Sequence, residues 1–344
     1  MSEINKHMPH DLKQMQSVPL EGKILMTKER IRQWYEHWDG QVYVSFSGGK
    51  DSTVLKHIVD SMYDDVPALF VNTGLEYPEI QKFAMSQKNV VTIRPKMRFD
   101  EVLKKYGYPL ISKEQSAFIK EYKTTKSQKL KNIRLNGNKW GMGKISKKWL
   151  PIIDAPFEVS DKCCDVMKKN PVKEYEKQTG RKPIIGTMAC ESHQRKSNWI
   201  MHGCNAFNKK RPTSQPLSFW AEQDILHYIK KYNVPYCSVY GDVVVDEKPY
   251  EDAILGQINI YETLDDYEGS VLKTTGCSRT GCIFCMFGCH LEKEPNRFQR
   301  LKETHPKQYD YCINGGDMVD GKWQPNKEGL GLGKVLDYIG VKYD

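Results

Sequence analysis

Three patterns meet without a gap between residues 41 and 59. Gln41-Val42-Tyr43-Val44-Ser45-Phe46 is a short run of β-branched and aromatic residues, and Ser47-Gly48-Gly49-Lys50 is a glycine turn. Asp51-Ser52-Thr53-Val54-Leu55-Lys56-His57-Ile58-Val59 then places apolar residues at helical spacing. The first run predicts a strand and the last a helix. A strand that passes through a tight turn into a helix commits a chain to an α/β fold, because a parallel neighbour is reached only through a crossover. The turn also carries a chemistry. Glycines let backbone N–H groups approach an anion closely, and a helix starting at Asp51 adds its N-terminal partial positive charge. Ser47 and Ser52 supply hydroxyls and Lys50 a full charge, so the turn is built for phosphate. It is neither GxxxxGK[ST] nor GxGxxG.

The pattern continues. Ala68-Leu69-Phe70-Val71-Asn72 predicts a second strand and residues 89–93 a third, with a helix over 79–88 between them. Pro183-Ile184-Ile185-Gly186 predicts a fourth. The expected class is α/β, a mostly parallel sheet with helices on both faces. Residues 28–38 predict a helix with Ile31, Trp34, Tyr35 and Trp38 on one face; 219–232 predict another with Trp220, Ile225, Leu226 and Ile229 together. Residues 162–179 read as a helix broken near Pro171. The expected organisation is a polar lead-in over 1–22, a nucleotide domain over 23–260 with a basic insertion at 115–150, and a cysteine-rich extension over 261–344. A chain of 344 residues, 39% hydrophobic, supports a core of that size. With no run of eighteen apolar residues and a polar N-terminus, the expectation is a cytoplasmic protein without a membrane span.

Ten cysteines are many for such a chain, and they cluster. Cys163 and Cys164 are adjacent; Cys277, Cys282, Cys285 and Cys289 fall within thirteen residues. Metal binding fits this better than a disulfide framework. Four thiolates suit a [4Fe–4S] cluster, with structural zinc as the runner-up. Cys190, Cys204, Cys237 and Cys312 read as small buried hydrophobes. The net charge is +9, and residues 120–148 carry ten Lys or Arg against one Glu. That segment is either a solvated loop or a clamp for nucleic acid.

In this context Ser47-Gly48-Gly49-Lys50-Asp51-Ser52 resembles the loop of the PP-loop superfamily: ATP pyrophosphatases, ATP sulfurylases, tRNA thiolases and phosphoadenylyl-sulfate (PAPS) reductases. Phe70-Val71-Asn72-Thr73-Gly74-Leu75-Glu76-Tyr77-Pro78-Glu79 resembles the second strand of the PAPS reductase family. The segment from Gly186 to Arg195 resembles the one that sets an arginine near phosphates or sulfate, and Pro216-Leu217-Ser218-Phe219-Trp220 resembles its "NP-L-W" stretch. The matches are collinear over roughly residues 40–290, and the chain is identified as a member of that family. The resemblance implies an adenine nucleotide α-hydrolase-like fold. It implies nucleotide binding by Ser45, Ser47, Gly48, Gly49, Lys50, Asp51, Ser52, Asn72, Thr73 and Gly74. Lys50, Asp51 and Arg195 become catalytic candidates, although Arg195 also reads as a surface helix charge. Lys162-Cys163-Cys164-Asp165, with Lys168, Lys169 and Pro171 downstream and Gly281-Cys282-Ile283-Phe284-Cys285 later, resembles the cluster layout of adenylyl-sulfate reductases. Ser278-Arg279-Thr280-Gly281-Cys282 also resembles the cysteine loop of phosphorothioate-DNA enzymes, which would promote Cys277 and perhaps Cys289. The candidate ligand set is Cys163, Cys164, Cys277, Cys282 and Cys285.

The chain departs from a standard sulfonucleotide reductase in two ways. It lacks a C-terminal Glu-Cys-Gly-Leu-His motif, for which Cys289-His290 and Cys312 are poor substitutes. It also keeps a full loop with Lys50, which suits cleavage of ATP between the α and β phosphates, with Lys50 offsetting charge on departing pyrophosphate and Mg2+ assisting. The leading expectation is therefore an ATP-using enzyme of sulfur-transfer or redox chemistry. Its rivals are a true reductase served by a thiol donor such as thioredoxin, and a nucleotide- or redox-sensing regulator that binds nucleic acid. A homo-oligomer is compatible with all three.

Overall fold

The computed structural model describes residues 7–246 and 270–344. In chain order its helices are α1 (Pro9–Gln16), α2 (Leu20–His37), α3 (Lys50–Asp60), α4 (Pro78–Ser86), α5 (Phe99–Tyr106), α6 (Lys113–Thr124), α7 (Gln128–Asn136), α8 (Asn170–Thr179), α9 (His193–His202), α10 (Glu222–Lys231), α11 (Arg297–Thr304), α12 (Pro306–Ile313) and α13 (Leu332–Tyr338). The strands are β1 (Val42–Phe46), β2 (Ala68–Val71), β3 (Val90–Ile93), β4 (Lys182–Ile185), β5 (Asn205–Ala206), β6 (Thr213–Ser214), β7 (Val243–Val245), β8 (Leu272–Thr274), β9 (Asp317–Val319) and β10 (Lys322–Gln324).

The chain forms two compact units, one of residues 1–72, 77–93 and 174–280, the other of 73–76, 94–173 and 281–344. The basic segment and the later cysteines from Cys282 onward thus belong to the second unit. The boundary expected at 260–261 lies outside the described residues.

The first unit is built on a six-stranded sheet in the order β3-β2-β1-β4-β6-β5. All pairs are parallel except β5 with β6. β1 is central: Val44 pairs with Ala68 on one side and Ile184 on the other. Its alternate residues are buried on both faces, Val42, Val44 and Phe46 on one and Tyr43 on the other, as a strand covered by helices on both sides requires. The Tyr43 hydroxyl satisfies itself on Glu176 Oε1 at 2.7 Å. Helices α2, α3 and α10 pack on one another and join Ile31, Trp34, Leu55, Ile58, Ile225 and Ile229 to one core. Trp220 Nε1 donates to Thr27 Oγ1 at 2.9 Å within it, both side chains fully buried.

Three local expectations shift. α2 starts at Leu20, earlier than the predicted Lys28. α10 starts at Glu222 because the Asp224 carboxylate accepts from Ala221 N at 2.7 Å; Phe219 and Trp220 are buried in the turn before it. Pro171 does not break its helix. A π-helical turn over Asp165–Lys169 runs without a break into α8, and its altered hydrogen-bond register relaxes the backbone just before Pro171.

In the second unit Asn296 caps α11, with Oδ1 accepting from Phe298 N at 2.9 Å and Gln299 N at 3.3 Å. Phe298, Leu301, Cys312, Leu332, Val335 and Leu336 are buried there, and β9 and β10 form a hairpin. Among the described residues no helix is long and apolar enough to cross a membrane.

Candidate nucleotide site and cysteine cavity

The glycine turn follows the carboxyl end of β1, where β2 and then β3 lie to one side and β4 to the other. That switch point is where open parallel sheets leave a crevice. Gly48 adopts φ +74°, and a Cβ there would meet Ile80 Cγ2 at 3.0 Å and the Ile80 carbonyl at 3.2 Å. Both facts demand glycine. Gly49 caps α3 in an extended conformation. Ser52 Oγ donates to Gly49 O at 2.9 Å and accepts from Ser47 N at 3.2 Å, while Gly49 N donates to Ser47 Oγ at 3.3 Å. The two serines therefore shape the turn.

A cavity of about 300 Å³ opens over it. Ser45, Ser47, Gly49, Lys50, Asp51 and Ser52 form one wall, and Gly186, Thr187, Glu191, Arg195, Tyr240, Arg279 and Thr280 contribute the others. Lys50 Nζ donates to Ser278 O at 2.7 Å and pairs with Glu222 Oε1 at 3.0 Å. Lys50 N donates to the Tyr240 hydroxyl at 3.3 Å, which shares a 2.6 Å hydrogen bond with Thr280 Oγ1. Glu191 pairs with both Arg195 and Arg279. Asp51 Oδ1 is buried and has no hydrogen-bond partner. Burial raises the Asp51 carboxyl above the ordinary aspartate range, against the opposing pull of Lys50 and Arg279. A buried carboxylate oxygen without a donor, in a cavity edged by cations, fits a hard divalent cation carried by a polyphosphate.

Of the residues named from the sequence, the cavity gathers the turn and Arg195. Gly48 underlies the turn. Asn72 is buried at the end of β2 and is not part of the lining. Thr73 and Gly74 belong to the second unit, where Thr73 N and Oγ1 both donate to the Glu76 carboxylate. Glu191, Glu222, Tyr240, Arg279 and Thr280 were not singled out. Arg279 and Thr280 did carry a signal, since they fall inside the Ser278–Cys282 stretch; Tyr240 and Glu222 carried none.

In the second unit Cys163, Cys164, Cys282 and Cys285 line one apolar cavity with Leu75, Phe99, Met167 and Lys168. Cys163 Sγ donates to Cys164 Sγ at 3.9 Å. That bond, with Lys113 and Lys168 nearby, holds Cys164 low, at about 6, and the same bond with burial pushes Cys163 up. Burial pulls Lys168 down, but Cys282, Glu76 and Cys164 outweigh it and hold its ammonium above the usual range. Among the described residues no three Cys, His, Asp or Glu side chains converge at single-ion spacing. Cys277 belongs to the first unit and is not part of this lining. Cys289 is buried, its thiol donating to Met286 O at 3.0 Å and pushed up by burial to about 11. Cys204, Cys237 and Cys312 are buried as expected, but Cys190 is exposed. It stands on the short turn Ala189–Glu191, with its thiol toward Trp220 O at 3.5 Å, so the local turn overrides its apolar character.

Residues 41–286 match the model of the phosphoadenosine phosphosulfate reductase domain. Two uncharacterized proteins of Methanocaldococcus jannaschii are similar to this chain. One is 27% identical over 300 residues, which cover 83% of this chain and 50% of its own length. The other is 26% identical over 215 residues, covering 61% and 35%. The chain thus spans half the length of these relatives or less. Among solved structures, phosphoadenylyl-sulfate reductase of Candida auris in a phosphate complex is similar with a TM-score of 0.37 at 15% identity, over 79% of this chain and 99% of that one. FMN adenylyltransferase of Candida glabrata with ATP also has a TM-score of 0.37, at 11% identity over 67% and 65%. The family model covers well over half of the sequence, and the chain belongs to the phosphoadenosine phosphosulfate reductase domain family.

Proposed function

We propose that the chain is an ATP-using member of its family, which breaks ATP between the α and β phosphates and transfers the adenylyl group to an acceptor. The bond from the α phosphorus to the α–β bridging oxygen breaks, the electron pair leaves with pyrophosphate, and a nucleophilic atom of the acceptor takes its place on phosphorus. The observation that carries this reading is the buried Asp51 Oδ1, which accepts no hydrogen bond and faces the Lys50 ammonium at 4.0 Å, in a cavity that an intact glycine turn floors. Ser47, Gly49 and Ser52 would orient the polyphosphate. Asp51 would hold a magnesium ion, which offsets charge on the departing group when bound. Lys50 adds a fixed positive charge at the same place, and Arg195 and Arg279 face the cavity as further cations.

Cys163, Cys164, Cys282 and Cys285 would hold a [4Fe–4S] cluster, which supplies sulfur-transfer or redox capacity when bound. One feature supports a shared site for them. The four thiols share an apolar lining with a single ammonium.

Incubation with ATP, Mg2+ and candidate acceptors tests the reading: pyrophosphate release is expected with the right acceptor and none with Asp51→Asn. Undetectable ATP binding and no pyrophosphate with any acceptor would contradict it. Reductive cleavage of a sulfonucleotide is a second reading, favoured by the exposed Cys190 beside Glu191. Desolvation raises the Cys190 thiol, so little thiolate is available near neutral pH. Sulfite release that is lost in Cys190→Ser would establish that reading instead.

A further inference from the structure

The basic segment folds into a helical hairpin, α6 packed on α7, followed by a tightly built tip. Ser127 Oγ caps α7, accepting from Leu130 N at 3.3 Å. After α7 the chain turns at Gly137, Gly141 and Gly143, all with positive φ. Asn138 organises the tip: its Oδ1 accepts from Trp140 N and Met142 N, each at 3.0 Å, and its N donates to Met142 O at 2.8 Å. Arg134 anchors the returning chain by donating to Gly143 O at 2.6 Å, and it stacks 4.1 Å from the Phe118 ring. The product of all this ordering is an exposed indole. Trp140 is 68% exposed, with Lys139 Nζ 4.2 Å from its ring centroid, and Met142 beside it is 61% exposed.

Most lysines of the segment have no carboxylate partner. Lys123 pairs with Glu158 and Arg134 with Glu121. Lys126, Lys129, Lys139, Lys144, Lys147 and Lys148 are exposed, and among the described residues none is in an ion pair. Among the described residues no other large aromatic ring is as exposed as Trp140, and Leu135 and Met142 nearby in the sequence are exposed too. Exposed lysines without carboxylate partners, carried on the same hairpin and tip as one presented indole, match a phosphate backbone with an unpaired base: the lysines neutralise phosphates while the ring stacks on the base. We infer that the α6–α7 hairpin is a binding surface for a single-stranded segment of nucleic acid, with Trp140 as the stacking platform. This stands independently of the ATP reading, because it uses none of the residues of the nucleotide cavity.

Fluorescence anisotropy of the full chain with labelled 20-nucleotide single strands of DNA and RNA tests it, with a 20-base-pair duplex and phosphatidylserine vesicles as controls. Single strands should bind, with affinity falling as salt rises. Replacing Lys126, Lys129, Lys139 and Lys144 by Gln should flatten the logarithmic salt slope by about 0.7 for each phosphate left without its lysine. Trp140→Ala should weaken binding about tenfold or more without altering the slope, and Trp140→Phe should restore most of it. The DNA-to-RNA ratio identifies the source of the strand. Salt-independent or absent binding, an unchanged affinity in Trp140→Ala, a duplex bound as tightly as a single strand, or a preference for vesicles would each overturn the inference.

Discussion

Asp51 sits where stability and function pull in opposite directions. Burial holds its carboxyl above the ordinary range, so the stability linked to its protonation is present at low pH and lost as pH rises through the raised value. Asp51→Asn should therefore raise the melting temperature of the nucleotide-free protein at neutral pH while removing Mg2+-dependent ATP binding; paired thermal melts and titrations at pH 7.5 check both. In the unmodified protein, Mg2+-dependent binding should begin to fail on acidification at a higher pH than an ordinary aspartate would cause. Lys50→Ala should slow adenylyl transfer by roughly 100- to 1,000-fold, the usual effect of removing one preorganised charge from a transition state. Gly48→Ala should cost at least about 1–2 kcal/mol of stability, the penalty of a left-handed backbone for an L-residue, and more from the close approach of Ile80. The turn was legible because each of its residues answers a local demand of phosphate binding. Tyr240 and Glu222 were not, because they reach the turn from chain some 170–190 positions further on, which no local spacing encodes.

At the scale of elements, period and composition located β1 to β4 and α3, whose apolar patterns are strong. Boundaries moved where capping decided them. The Asp224 carboxylate reaches back to Ala221 N and fixes the start of α10, leaving Trp220 to fill the core from the preceding turn. Trp220 is therefore a packing and a polar position at once: Trp220→Phe removes the N–H that donates to the fully buried Thr27 hydroxyl, which keeps its own bond to Pro216 O at 3.3 Å, and leaves a gap. A loss of about 1–3 kcal/mol is expected from one lost buried hydrogen bond plus lost volume, seen as a lower urea midpoint. The helix through Pro171 continued where a break was expected, because the π-helical turn just before it relaxes the backbone there. The elements after Pro295 are short and rest on caps and glycines, so their pattern was too brief to read.

For the whole molecule, membership of the family follows from the collinear motifs, and the sheet order β3-β2-β1-β4 with the nucleotide turn at the switch point agrees with it. The two cysteine clusters were legible as clusters, but the meeting of Cys163 and Cys164 with Cys282 and Cys285 in one cavity arises only once the chain is folded, since more than a hundred positions separate the pairs. Protein purified without oxygen should be brown and contain about four iron and four sulfide per chain, and Cys164→Ser should lose most of both; a colourless protein containing zinc would refute the cluster. The proposal that the intact turn serves ATP is tested most directly by competition for the nucleotide cavity. With Mg2+ present, ATP should displace a labelled adenine nucleotide more effectively than phosphoadenylyl sulfate does, and this preference should vanish in Asp51→Asn. Tight binding of phosphoadenylyl sulfate with no measurable binding of ATP would contradict the account.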